Sequence, residues 1–293
     1  MTAFTQLELQ TNQNILQAAK LDWHVEKRPL YTFHDSNFHQ TGTFGLFRED
    51  TNEFISVASK RYQPFQNEDV VNFFEDYVSK AGGTVTHGGH YKNRDILLFG
   101  NLGHTVNLGN GNDAEFKLLA RTGHYPGMAL EILIGVLMCA CTNQFTPKMD
   151  TGSRGFYYQW HNTEFTKVSK DSVAKTLDWF KNFITNYQTQ AQTLMYKPMT
   201  TSRAETFLIE QIGDTTKVKA EQPKAIANIL NIYDSEAYLG PNDKYEPTAW
   251  RLWNSITQYI DHIDNQSMRR ARSAMIGTGQ TVKQKTFQAL LEV

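Results

Sequence analysis

Residues 169–196 read SKDSVAKTLDWFKNFITNYQTQAQTLMY. Val173, Leu177, Phe180, Ile184, Tyr187, Ala191 and Leu194 recur in alternating steps of four and three, the spacing of a coiled-coil seam. That spacing predicts one long helix from Ser169 to about Tyr196, ended by Pro198. A stripe of this kind is ordinary core packing. The chain N-terminal to it is dominated by period-two runs, so the hydrophobic period changes at about Ser169. The expected architecture is therefore α+β, with an antiparallel sheet in the first half packed by helices and a helical second half. The sheet should run from near Leu21 to Gln144, packed by this helix and by one over Asn67–Lys80. The segments are 1–20, polar; 21–168, sheet-bearing; and 169–293, helical and packed on the sheet as one domain.

The shorter helix is marked by Val70, Val71, Phe73, Phe74, Tyr77 and Val78 at helical spacing. Asn67-Glu68-Asp69 is expected to cap it, and Gly82-Gly83 to stop it. Thr43–Arg48 and Glu53–Ala58 flank the polar Glu49-Asp50-Thr51-Asn52 and read as a β-hairpin. Leu21–Leu30 alternates and is ended by Pro29. Thr84–Thr86, Asp95–Gly100, Phe116–Ala120 and Leu130–Cys141 read as strands with short connections, which favours antiparallel pairing. The last is apolar on both faces and should be central. Ser202-Arg203-Ala204-Glu205 reads as a capping box. Further helices should follow Pro223 and Pro247.

Lys+Arg 29 against Asp+Glu 30 gives a net charge of -1. Nucleic-acid contact must then come from a local patch, and little charge opposes self-association. Cys139 and Cys141 are too close to bridge without strain and read as reduced thiols. No signal-like start and no membrane-length apolar run is present, so a cytoplasmic protein is expected. His87-Gly88-Gly89-His90, with His104, His124 and the cysteines, lacks any zinc signature and reads as histidines in a glycine-rich turn. No nucleophile elbow, P-loop or dinucleotide fingerprint occurs. Asp261 and Asp264 read as a solvated helix side. No metal or other cofactor is expected.

The C-terminal end has the order of parts that grips phosphate. Arg269, Arg270 and Arg272 precede Gly277-Thr278-Gly279, which opens onto a segment carrying Lys283 and Lys285. Cationic side chains and backbone N–H groups at a helix start both bind anions. A second choice is Lys60, Arg61 and Tyr62, with Tyr62 as a ring on which bases stack.

Several blocks in one order resemble the phage- and plasmid-borne family catalogued as domain of unknown function 932. Leu21–Leu30 resembles its opening block and Lys60–Glu68 its most recognisable motif. Cys141-Thr142-Asn143 resembles its central signature. Trp250–His262, with Ile276–Gly279 and Lys283-Gln284, resembles its ending. The family pattern has an arginine shortly before the cysteine, where this chain has Met138. The resemblance implies a mobile-element protein with no established catalytic activity. The layout of helix, antiparallel strands and long helix is similar to that of single-strand annealing recombinases, a likeness of fold level only.

The leading expectation is a single-stranded-DNA-binding, annealing-type recombination protein acting as a homo-oligomer. The alternatives are an interaction protein of mobile elements that blocks a host defence enzyme and, more weakly, a metal-dependent nuclease. On a helix Arg269 and Arg272 share a face, with Arg270 turned by about 100°. Replacing Arg269 and Arg272 with alanine is expected to weaken oligonucleotide binding by about 1–3 kcal/mol and to flatten its salt slope by about two units. A folded double mutant with unchanged affinity and slope would identify an ordinary solvated face.

Overall fold

In the computed structural model the described residues are 5–6, 15–109, 113–138, 144–145, 157–161, 170–213, 224–235, 247–263, 273–274 and 277–293. The strands are β1 (Thr5–Gln6), β2 (Val25–His34), β3 (Asn37–Arg48), β4 (Phe54–Ala58), β5 (Thr84–Tyr91), β6 (Asp95–Asn107), β7 (Asp113–Gly123), β8 (Ala129–Met138), β9 (Gln144–Phe145) and β10 (Tyr157–Trp160). The helices are α1 (Ile15–Ala18), α2 (Asn67–Lys80), α3 (Lys170–Met195), α4 (Thr201–Gln211), α5 (Lys224–Asp234), α6 (Ala249–Gln258) and α7 (Thr278–Glu292). A π-helical turn over Tyr259–Ile263 continues α6.

One sheet has the order β1-β5-β6-β7-β8-β10, with β9 also on β8, and a second has the order β2-β3-β4. The registers of β1–β5, β5–β6, β8–β9, β8–β10, β2–β3 and β3–β4 are antiparallel. This is the α+β architecture expected, with antiparallel sheets followed by helices. By its contacts the chain divides into two compact units that interleave along the sequence. One comprises Met1–Leu102, Lys117–Ile134 and Met149–Asp178; the other comprises Gly103–Phe116, Gly135–Lys148 and Trp179–Val293.

In the first unit the hairpin of β3 and β4 forms as its polar turn implies, with Phe44 opposite Ala58 and Leu46 opposite Ser56. Pro29, however, does not end its strand. It lies inside β2 opposite Phe44, next to a register shift. β2 is an edge of its sheet, where a residue without an N–H is tolerated. Beyond the shift, β2 and β3 continue as a hairpin through Asp35 and Ser36, both left-handed at φ 48° and 61°. Two successive positive φ angles make the turn whose twist suits a two-residue hairpin.

Helix α2 buries Val70, Val71, Phe73, Phe74, Tyr77 and Val78, the predicted face, and Gly82 ends it at φ 82°. Gly100 lets α2 approach β6, because a Cβ there would meet Val78 Cγ2 at 2.5 Å. The cap is different from the one expected. Gln66 occupies the N-cap position without a side-chain cap, and Asn67 is buried. The Asn67 amide donates to the carbonyls of Leu21 and Trp23 at 3.1 and 2.9 Å, and its oxygen meets His124 Nε2 at 2.9 Å. The Gln66 amide pairs with both the N–H and the C=O of Val25. His87-Gly88-Gly89-His90 is no turn either. It lies within β5, opposite Phe99 to Ile96, and the chain reverses at Lys92 and Asn93, both at positive φ.

In the second unit α3 supplies Phe180, Tyr187, Ala191 and Leu194 to the core. The Phe116 ring meets Phe180, Phe183 and Tyr187 edge-on, and Tyr187 stacks on Phe287 of α7. Trp253 of α6 meets the same phenylalanine at 5.0 Å. The cap of α4 is Thr200, which accepts from the N–H of Arg203, so Ser202 lies within the helix rather than before it. Lys197 donates to the carbonyls of Leu290 and Leu291 near the end of α7, where helix carbonyls lack partners.

Two buried histidines tie the first unit to pH. Burial pushes His124 down to about 3 and His161 down to about 4. An unfolded histidine titrates near 6.5. Below that value the unfolded chain takes up protons that the folded chain refuses until about pH 4, so stability is present above 6.5 and declines as pH falls. Between pH 7 and 4.5 the loss is expected to be on the order of 2–3 kcal/mol for each histidine. Denaturant melts across this window check it, with His161→Phe expected to flatten the dependence. Parallel curves for variant and parent would remove His161 as the source.

Candidate nucleic-acid interface

The small sheet has one buried and one open face. Val25, Leu46 and Ala58 point inward and join Trp23 and Tyr62. Glu26, Arg28, Phe47 and Val57 alternate with them along the strands and so take the other face. Arg28 of β2 lies 5.1 Å over the Phe47 ring, and Phe47 meets Phe54 edge-on at 5.5 Å. Phe54 is 51% exposed and Val57 on the same strand is 49% exposed. Arg28 is held there by Glu26 at 2.5 Å and by Asn52 at 2.9 Å. That pairing raises the arginine's affinity for its proton and lowers the carboxyl's.

Lys60 and Arg61 follow β4 and are both exposed. Neither side chain has a hydrogen-bond or ion-pair partner among the described residues. Lys27 lies beneath them, with its ammonium 4.6 Å over the Phe44 ring and donated to the carbonyls of Lys60 and Tyr62. The loop is thus anchored by one cation while it presents two others to solvent.

Tyr62 is not a ring for bases. It is buried, stacked on His161 at 5.1 Å with its hydroxyl toward the Gly123 carbonyl. Phe65 also stacks on that imidazole, at 4.3 Å. The Tyr62 ring therefore completes a core. Gln63 and Phe65 bond to His161 as well, through their backbone N–H groups.

The C-terminal candidates separate. Arg269, Arg270 and Arg272 lie outside the described residues, as do Cys139, Cys141 and Asp264. Lys283 is wholly buried and donates to Asp261 at 2.7 Å, so it is a core ion pair rather than a phosphate contact, and Asp261 is no solvated side. Burial pulls the Lys283 ammonium toward neutrality, and Asp261 opposes that pull. Lys285 is exposed and reaches the Gln211 carbonyl at 3.3 Å. The glycines serve packing. A Cβ on Gly279 would come within 2.8 Å of Ile260, and one on Gly277 within 2.9 Å of Ser273. Their N–H groups already bond to Ser273, that of Gly277 to its carbonyl and that of Gly279 to its hydroxyl.

The outward pairing of Phe54, Phe47 and Arg28 is not evident from spacing, although the aromatics flanking Glu49–Asn52 are its signal. Among the described residues no group of three His, Cys, Asp or Glu side chains is placed to hold a metal ion, and no helix is long and apolar enough to cross a membrane.

A family model matches residues 54–287, which takes in Lys60–Glu68, α2, the large sheet from β5 onward and most of α7. The chain belongs to that family, described as Domain of unknown function (DUF932). Comparison with the curated proteins and with the solved structures gave no match.

Because Lys283 is buried, Lys283→Ala is expected to act on stability. It leaves Asp261 buried without its partner, at a loss of about 3–5 kcal/mol in urea denaturation. The double variant Lys283→Met, Asp261→Asn should recover much of that loss. A Lys283→Ala protein as stable as the parent would contradict the core role.

Proposed function

We propose that this chain binds single-stranded DNA and acts as an annealing-type recombination protein of a phage or plasmid, needing no metal or nucleotide cofactor. The observation that carries this reading is the outward face of the small sheet, with its exposed Phe54 and its Phe47–Arg28 stack, together with Lys60 and Arg61, which are exposed in the loop after β4 and have no side-chain partner among the described residues. Single strands are held by base stacking on such rings while cations follow the phosphates. Annealing asks for neutralised phosphate and exposed bases rather than bond-making groups. The near-zero net charge counts against a general polyanion binder, so this reading requires that the contact come from a local patch.

Fluorescence anisotropy of a labelled oligonucleotide across a salt series tests this. Lys60→Ala with Arg61→Ala should lower the slope of log affinity against log salt by about 1.4, roughly 0.7 for each lost phosphate contact on a single strand. Phe54→Ala should weaken binding by about 1–3 kcal/mol and leave the slope unchanged. A parent protein that fails to bind at low salt would sink the reading in favour of protein contact with a host defence enzyme. Cleavage that depends on a divalent metal would favour a nuclease.

A further inference from the structure

Two features lie outside the proposed DNA-binding face. The first is the tip of the β2–β3 hairpin. Phe33 and Phe38 stand directly opposite each other with ring centroids 5.1 Å apart, and Tyr31 follows on the same side of β2. Phe38 is 76% exposed and Phe33 65%. Large rings so open to water mark a contact site. Residues 31–42 contain no lysine or arginine, and their one acidic side chain is Asp35. Phosphate therefore finds no lysine or arginine at the tip, and its rings suit a protein.

The second feature is an open apolar pocket of about 250 Å³. Its lining includes the apolar Ile212, Ile229, Ile260 and Val282 and the ring of Tyr259, while Ala225 and Ala274 leave it wide. A cavity of roughly 150 Å³ takes one benzene ring, so this pocket has room for a phenylalanine side chain with some margin. The start of α7 borders it, and the positive end of a helix favours the charge that Asp35 carries at the hairpin turn.

We propose that the hairpin tip of one copy inserts Phe38 into this pocket of a second copy, so that the chain assembles head to tail. Knob and pocket are different surfaces of the same molecule, which makes the contact heterologous. Repetition gives a ring where the rotation closes and a filament where it does not. The contact uses none of the residues that the DNA reading relies on, so either can fail alone.

Multi-angle light scattering on the purified full chain, without DNA, tests the assembly. The parent should show masses above that of one chain. Phe38→Ser removes the knob from an exposed hairpin, and Ala225→Phe fills the pocket from a half-buried helix position; each alone should be monomeric. An equimolar mixture of the two should form a species of two chains, because one intact knob still meets one intact pocket. Adding Phe38→Ser protein to the parent should shorten its assemblies in proportion to dose, which needs no folded Ala225→Phe. A monomeric parent would overturn the proposal. So would an Ala225→Phe protein that assembles like the parent, or a parent mass distribution unmoved by Phe38→Ser protein, since a symmetric tip-to-tip contact predicts both.

Discussion

The buried carboxamide of Asn67 ties together three stretches that are far apart in the chain. Its nitrogen satisfies the carbonyls of Leu21 and Trp23 where the polypeptide enters β2, and its oxygen holds His124 just past the end of β7. Buried polar groups that lack a partner are costly, so such a site tolerates little rearrangement. Around it, Trp23 packs edge-on against both His90 and His124, and Arg48 lies 4.6 Å over the Trp23 ring. The small sheet, the start of α2 and the end of β7 therefore share one polar fastening. The open face of β2–β4 is steady because its other face is held in this way.

Residues 60–68 illustrate how a recognisable motif divides its labour. Tyr62 and Phe65 stack on His161, while Gln66 and Asn67 supply amides to the chain around Val25 and Trp23. Only Lys60 and Arg61 at its head are left to solvent with free cations. Most of the block is thus accounted for by structure, and its exposed cations are its first two residues.

Cations elsewhere show the same division. Lys27, Lys197 and Arg251 give their head groups to backbone carbonyls, and Lys283 gives its own to Asp261. Each ends a chain segment or pins one element to another. A head group turned to a carbonyl inside the fold keeps its charge but has fewer donors left for a phosphate, and the charge of Lys283 is offset by Asp261, so a count of lysines and arginines overstates the cations open to direct contact with a polyanion. Lys60 and Arg61 weigh more for that reason.

The periodic parts are legible in the sequence. The seam of α3, the buried face of α2 and the β3–β4 hairpin follow from spacing, because a side chain's direction on a helix or strand is set by its position along it. The helix starts at Lys224 and Ala249 follow from the prolines ahead of them. Polar residues are not legible in this way. Asn67 is an ordinary helix-capping residue until the carbonyls of Leu21 and Trp23 and the imidazole of His124 arrive from 44 to 57 residues away. Lys283 has the composition of a phosphate contact until Asp261, 22 residues earlier, is folded against it in the core. Pro29 looks like a strand end until β2 proves to be an edge. Local patterning specifies which face of an element is apolar, whereas the fate of a charge or an amide depends on which distant group reaches it and whether water is excluded there, and only the tertiary structure decides that.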